Sequence, residues 1–351
     1  MRFSLSALSD LPALPFDTII DARAPSEYAE DHIPGALNLP VLSDEERARV
    51  GTIYVQDSPF LARKLGAALV ARNVAQHLEG PLADREGGWR PLVYCWRGGQ
   101  RSGSFATILQ QVGWRVSVLE GGYQSYRRQV VSQLYTDVFP APVVLLDGNT
   151  GTAKTDILHE VAQLGCQVID LEGLANHRGS VLGPRPGGQP SQKMFESRLS
   201  ALVAGLVPGQ PVLIEAESSK VGDLLVPPSL WKAMQQAPRI TVTASVAARA
   251  DYLAAAYGDL VEDTAALFQR LEKLVPFVGH KAVSGWQSLA RGGAYPELAR
   301  QLIEQHYDGR YEKGRPEGIT ALGDDLPIDL SPEGRARAAR QIADRLRCFP
   351  G

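Results

Sequence analysis

Apolar runs of about three to five residues recur along this chain, most of them leading into a polar or glycine-containing turn and then a stretch whose apolar positions repeat at three and four residues. That spacing predicts strands followed by helices. From Asp17 to Pro40, DTIIDARAPSEYAEDHIPGALNLP reads as a β-branched strand over Thr18 to Ile20, a polar turn, a short helix and a second strand punctuated by Pro-Gly. Residues 41 to 78 bring acidic residues and then FLARKLGAALVARNV, whose helical spacing predicts a cover over a sheet. RPLVYC follows as a buried strand, GSFATILQQVG as a helix, RVSVLEGGY as a strand and turn, and SYRRQVVSQLY as a helix. Such alternation implies a mostly parallel sheet.

A second beginning stands at FPAPVVLLDGNTGTAKTDILHEVAQLG, where two prolines end the preceding helix and a new strand runs into a Gly/Thr turn and a helix. Two α/β domains are therefore expected, residues 1–135 and 140–351. CQVIDLEG and PVLIEAES supply further strands, RITVTASVAARADYLAAAYGDL a strand and a helix, and the part from about Leu260 reads as mostly helical. No repeat or low-complexity segment is present.

Composition narrows the class. The 351 residues, 44% hydrophobic and 21% charged, suffice for two cores. No run approaches the roughly 20 apolar residues of a membrane-spanning helix. The opening MRFSLSALSDLPALPF is broken by Asp10 and two prolines, so a cytoplasmic, membrane-free protein is expected. Cys95, Cys166 and Cys348 are odd in number and lack metal-ligand spacing, which predicts free thiols. A net charge of −3 argues against wholesale adhesion to nucleic acid and leaves room for a local basic stripe.

Two constellations carry chemistry. VYCWRGGQRSG places Cys95 at the carboxyl end of a strand, where open α/β sheets bind ligands, before a loop holding Arg97, Arg101 and glycines. A strand cysteine is ordinarily a small buried hydrophobe. Here the cations, the inward-curling backbone and the helix N-terminus favour an anionic sulfur or a bound anion. The second, DGNTGTAKT from Asp147 to Thr155, lies between a strand and a helix as a phosphate-binding P-loop does. Gly148, Asn149, Thr150, Gly151, Lys154 and Thr155 are its expected ligand residues, with Thr155 available to Mg2+. Ala153 replaces the usual glycine, and its methyl group is expected either to narrow the turn or to bar positive φ, altering the cradle. Glu215 and Glu217 end one strand and are candidate carboxylates for metal-bound water or proton transfer, and Asp170, Glu172, His177 and Arg178 cluster after another, so that the six form a candidate second-domain site. A hydrogen-bonded structural histidine and a strand end turning polar are the plainer readings of His177 and the two glutamates.

The blocks IIDARAPSEYAEDHIPGALNLP, VYCWRGGQRS and LEGGYQSYR resemble a rhodanese domain, with Cys95 where the persulfide-carrying cysteine stands. Five residues separate Cys95 from Arg101, one more than in sulfur-carrying rhodaneses, a length similar to that of rhodanese-like phosphatases and arsenate reductases. DERARVGTIY, DLEGLANHRGS, QPSQKMFESRL, IEAESSKVG and HYDGRYEK extend the likeness, and the whole chain resembles the tRNA 2-selenouridine synthase family. The resemblance implies a rhodanese-like domain, then a P-loop domain with a helical C-terminal part. It implies a transferase that geranylates the sulfur of wobble-position 2-thiouridine with geranyl diphosphate and replaces it with selenium from selenophosphate. Cys95 would carry that selenium as a perselenide, with no tightly bound cofactor, and a monomer is expected. By the same resemblance the tRNAs are those for Lys, Glu and Gln, and a selenophosphate supplier is a partner. Loop length further suggests that the wider cup of Arg97, Arg101 and glycines receives selenophosphate.

Positive side chains must hold the tRNA, because phosphate contacts dominate such affinity. Arg127, Arg128, the stretch from Arg310 to Arg315 and the C-terminal RARAARQIADRLR are candidates, and Trp96 is placed to stack on a flipped base or to pack on its loop. The C-terminal segment also carries an apolar stripe, Ala336, Ala339, Ile342 and Leu346, which predicts a packed helix with a solvated basic face. Two rivals remain: a phosphatase or arsenate reductase with an added nucleotide-binding domain, and a sulfur-relay module.

Overall fold

A computed structural model describes residues 1–349 apart from 181, 257, 259–262 and 315–319. It divides into two compact units, Met1–Asp137 with Pro190–Gly205, and Val138–Gln189 with Leu206–Gly351. Each is an α/β unit built on a five-stranded parallel sheet.

In the first unit, β1 (Arg2–Phe3), β2 (Thr18–Asp21), β3 (Leu37–Asn38), β4 (Pro91–Tyr94) and β5 (Ser117–Leu119) lie in the order β1-β5-β4-β2-β3. All pairings are parallel. Every residue of the central β4 is buried, as its unbroken apolar run predicts. The helices are α1 (Pro25–Glu30), α2 (Asp44–Gln56), α3 (Pro59–Glu79), α4 (Gln100–Val112) and α5 (Gly122–Val131). Ser43 and Glu46 close a reciprocal capping box at the start of α2, and Ser58 caps α3 ahead of Pro59. Val70 and Val74 of α3 and Phe105 and Leu109 of α4 join Ile20 and Val93 in one core, so α3 is the cover its pattern announced. Each such side chain contributes about 1.5–3 kcal/mol on burial.

The excursion Pro190–Gly205 adds a helix to this unit. Ser191 caps it by accepting from the Met194 amide, and Arg127 pairs with its buried Glu196.

The second unit contains β6 (Val143–Asp147), β7 (Gln167–Ile169), β8 (Val212–Glu215), a hairpin of β9 (Lys220–Val221) and β10 (Leu224–Leu225), β11 (Arg239–Thr243) and β12 (Leu326–Pro327). Its large sheet runs β12-β11-β6-β8-β7, again all parallel. The P-loop strand β6 is therefore central and fully buried. Edge strand β12 was not anticipated in the helical final third. Helix α6 (Lys154–Gln163) and the C-terminal helix Pro332–Arg347 pack together against the sheet. Of the expected stripe, Ala339, Ile342 and Leu346 are buried and Ala336 only half so, with Ala338 and Ala343 completing the face. Arg345 and Arg347 donate to the carbonyls of Leu322 and Leu164, so these two cations partly serve the fold. The helices Thr264–Glu272, His280–Arg291 and Tyr295–Leu302 enclose a separate core around Trp286. Among the described residues no helix is long and apolar enough to cross a membrane.

Candidate active sites

Cys95 follows β4 directly and is buried. The loop from Trp96 to Gly99 turns back to α4, and two glycine contacts set its shape. Gly98 has φ +65, and a β-carbon there would lie 2.5 Å from the Leu119 carbonyl oxygen. Gly122, at φ +58, comes equally close to the loop backbone. The amides of Tyr123 and Gln124 donate to the carbonyls of Cys95 and Trp96, so the LEGGYQ turn props the loop from below. Ser102, fully buried on the first turn of α4, donates its hydroxyl to Cys95 Sγ at 3.1 Å. The sequence reading of the loop assigns Ser102 no role, because nothing local aims its hydroxyl at the sulfur.

The two arginines behave differently. Arg97 is exposed and donates to Gln124 Oε1. Arg101 donates to both carboxylate oxygens of Glu27, at 2.6 and 3.3 Å, and Glu27 also pairs with Arg47. Burial works against the Glu27 carboxylate, and Arg101 with Arg47 and the Ala24 amide outweighs it, holding the carboxyl below its usual range. Arg101 is thus a tethered cation beside the loop. Beneath lies Arg23, fully buried, paired with Asp21 and 4.0 Å from the face of Tyr123. Trp96 stacks on Tyr123 of α5 with ring centres 5.3 Å apart.

In the second unit the P-loop leaves β6 at Asp147. A β-carbon on Gly148 would sit 2.6 Å from the Val242 carbonyl oxygen, so only glycine fits there. The Gly148 amide meets the Tyr311 hydroxyl, Asn149 donates to Asp308, and Arg249 joins Asp308 to the Thr150 carbonyl. The HYDGRYEK block therefore seats the loop. Ala153 adopts φ 55, ψ 31, the left-handed conformation of the glycine it replaces. The expectation that its methyl bars positive φ is not met: the residue is buried and its surroundings enforce the turn. Lys154 Nζ folds back onto the Gly148 carbonyl at 2.6 Å.

Around this loop opens a pocket of about 510 Å3, lined among others by Lys154, Thr155, Glu172, Arg178, Ser180, Arg185 and Glu217. Thr155 donates to Glu172 at 3.3 Å. Burial, and then Glu172, push the Glu217 carboxyl well up. Thr155, Glu172 and Glu217 offer hard oxygen donors of the kind Mg2+ takes, although among the described residues no three acidic, His or Cys side chains converge as a metal cage. Glu215 lies apart from the pocket lining, wholly buried, accepting from the Leu171 amide. Burial and Asp170 push its carboxyl well up. Asp170 caps the helix α7 (Leu171–Leu174) and binds His159. His177 is buried and accepts from the Gly179 amide, and burial biases it toward neutrality. It shapes the turn that carries Arg178 and Ser180, the structural role its plainer reading gave it. Arg185, pinned nearby through Arg270 and the Pro184 carbonyl, was missed in the sequence because no motif contains it.

Of the tRNA candidates, Arg127 is engaged by Glu196 and Asp31, which removes it from a phosphate-binding role in this arrangement. Arg128 is exposed, and Arg310 is exposed over the Phe277 ring. Arg315 lies outside the described residues.

Residues 4–129 match the rhodanese-like domain, and residues 141–291 match the tRNA 2-selenouridine synthase AAA domain. The chain is 37% identical over 237 residues to the tRNA 2-selenouridine synthase of Alcanivorax borkumensis, covering 66% of this chain and 64% of that protein. It thus spans just under two thirds of that relative. A rhodanese-related protein from Thermoplasma volcanium is 19% identical, covering 36% of this chain and 91% of its own, with a TM-score of 0.24. The synthase of Nitrosomonas europaea is 34% identical over 314 residues, 88% of this chain and 78% of that protein. At that identity and coverage, the chain belongs to the tRNA 2-selenouridine synthase family.

Proposed function

We propose that this protein is a cytoplasmic, monomeric transferase that converts wobble-position 2-thiouridine in tRNA to 2-selenouridine, dividing the work between its two units. The observation that carries this reading is the pairing, in one chain of that family, of a serine-bonded cysteine loop with a phosphate pocket. In the first reaction geranyl diphosphate sits with its diphosphate on Gly148–Thr155. The thiouridine sulfur bonds to the geranyl C1, the C1–O bond breaks with its electron pair going to diphosphate, and the N3 proton passes to solvent. Lys154 and Arg178 face the departing charge, which is what preorganised cations contribute to such a step. Mg2+, where bound, would be held by Thr155, Glu172 and Glu217 and would neutralise diphosphate charge.

The second reaction belongs to Cys95. Hydrolysis of selenophosphate yields phosphate and selenide; a small-molecule disulfide exchanges with the free Cys95 thiol, releasing one thiol and leaving a mixed disulfide, and selenide displaces the second thiol to leave a perselenide. Its selenium bonds to C2 of the geranylated base, and the C2–S bond breaks with the pair leaving on geranyl thiolate. A second thiol then cleaves Se–S and releases selenouridine. The tRNAs for Lys, Glu and Gln are the substrates, and an enzyme that makes selenophosphate is the supplying partner.

Nucleoside mass spectrometry tests this. Wild type given thiolated tRNA, geranyl diphosphate, selenophosphate, and a thiol with its disulfide should form 2-selenouridine, and Cys95→Ser should stop at the geranylated base. Selenouridine formation by Cys95→Ser at the wild-type rate would overturn it. The five-residue spacing and the Ser102 hydrogen bond favour a second reading, a phosphatase or arsenate reductase, which requires turnover of p-nitrophenyl phosphate or arsenate lost in the same variant.

A further inference from the structure

The P-loop pocket has a neighbour. Thr150 and Leu253 line both it and a second hollow whose walls include Leu182, Leu267, Leu298 and Leu302. Its space measures about 60 Å3. The two meet at Gly151, where φ is +89 and a β-carbon would come within 3.0 Å of Leu253 Cγ. The phosphate loop's backbone thus rests on a wall of the apolar hollow. That partition is held in place, since buried Arg249 binds the Thr150 carbonyl and is itself paired with Asp308.

An anion cradle that shares Thr150 and Leu253 with an adjacent leucine-lined hollow suits a ligand that is anionic at one end and hydrocarbon at the other. A nucleotide base is a poor occupant, because its polar edges would be buried against leucines without partners. We propose that this hollow receives the end of the hydrocarbon chain of an isoprenoid diphosphate and measures its length. The proposal rests on the reading of Gly148–Thr155 as a diphosphate site. A space this small takes only the chain terminus, so Leu298 and Leu302 form the stop against which the last branched unit packs. One methylene in a hydrophobic pocket is worth about 10- to 200-fold in discrimination.

Calorimetry on the full-length protein with pyrophosphate, and with dimethylallyl, geranyl and farnesyl diphosphates, separates head from tail. In wild type, geranyl diphosphate should bind at least about tenfold tighter than pyrophosphate. Leu302→Trp, which fills the hollow, should remove that advantage while leaving pyrophosphate affinity unchanged, which also shows that the variant is folded. Leu298→Ala, which deepens it, should raise the farnesyl-to-geranyl affinity ratio about tenfold or more, a gain that misfolding cannot produce. Unchanged ratios in both variants, with geranyl diphosphate still favoured over pyrophosphate, would place the chain elsewhere and overturn the proposal alone. Failure of wild type to bind pyrophosphate or any prenyl diphosphate would overturn the P-loop reading beneath it.

Discussion

Gly122→Ala perturbs the Cys95 loop without touching any reacting group. Gly122 opens α5 in the left-handed region, at φ +58, where an L-residue costs about 1–2 kcal/mol. The larger effect is steric. The new methyl carbon would stand 2.3 Å from the Cys95 carbonyl oxygen and 2.5 Å from the Gly98 nitrogen, against an ordinary contact that begins near 3.4 Å. Both opposing atoms are backbone of the loop itself, so relief requires the loop to move by about 1 Å. A misplacement of that size costs about 100-fold in rate. Selenation by Gly122→Ala should therefore fall about 100-fold, measured as selenouridine formed from geranylated tRNA, with a retained cooperative thermal unfolding of the first unit as the check on folding. Gly113→Ala, at φ +110 with nothing within 4 Å of the new carbon, isolates the backbone term and should leave selenation within a few-fold of wild type. Selenation by Gly122→Ala within threefold of wild type would refute the view that LEGGYQ holds the nucleophile in place.

Ala153→Gly relieves about 1–2 kcal/mol of left-handed strain but gives up about 0.8 kcal/mol of methyl burial and about 0.4–1 kcal/mol of unfolded-state entropy. Its stability by urea denaturation should stay within about 1 kcal/mol of wild type, and a loss above about 2 kcal/mol would contradict the strained geometry. Glu215→Gln should flatten the alkaline side of the stability profile. Burial and Asp170 raise the Glu215 carboxyl well above its ordinary 4.5, so the folded state keeps a proton that the unfolded state releases. That contribution is complete below the unfolded value and is lost as pH climbs through the raised one. Equal loss of stability from pH 5 to pH 9 in wild type and variant would be the contrary result. Ser102→Ala removes the hydroxyl bonded to Sγ and should slow both iodoacetamide alkylation of Cys95 and selenation about three- to tenfold, the scale of one hydrogen bond. Unchanged alkylation would show the contact to be incidental.

Much of this was legible in the sequence because it is local. The apolar run PLVY followed by a glycine-rich loop, and VVLLD followed by GNTGTAKT, place Cys95 and Lys154 at the carboxyl ends of central strands with no long-range information. What supports those loops was not legible, because its partners are far along the chain. Glu27 binds Arg101 across 74 residues, and Asp308 binds Asn149 across 159. Arg127 reads as a surface cation until Glu196, on a helix that returns to the first unit, is seen to neutralise it. Ala153 illustrates the opposite error. Intrinsic preference argues against positive φ at alanine, yet packing around a buried methyl group overrides a preference of only about 1–2 kcal/mol.

The central claim, two chemistries assigned to two units, is tested most directly by bypassing the first. Geranylated tRNA prepared in advance should be converted to selenouridine by Lys154→Ala at close to the wild-type rate, given selenophosphate and a thiol with its disulfide, while Cys95→Ser leaves it unchanged. Conversion by Cys95→Ser, or its loss in a folded Lys154→Ala, would contradict the division of labour.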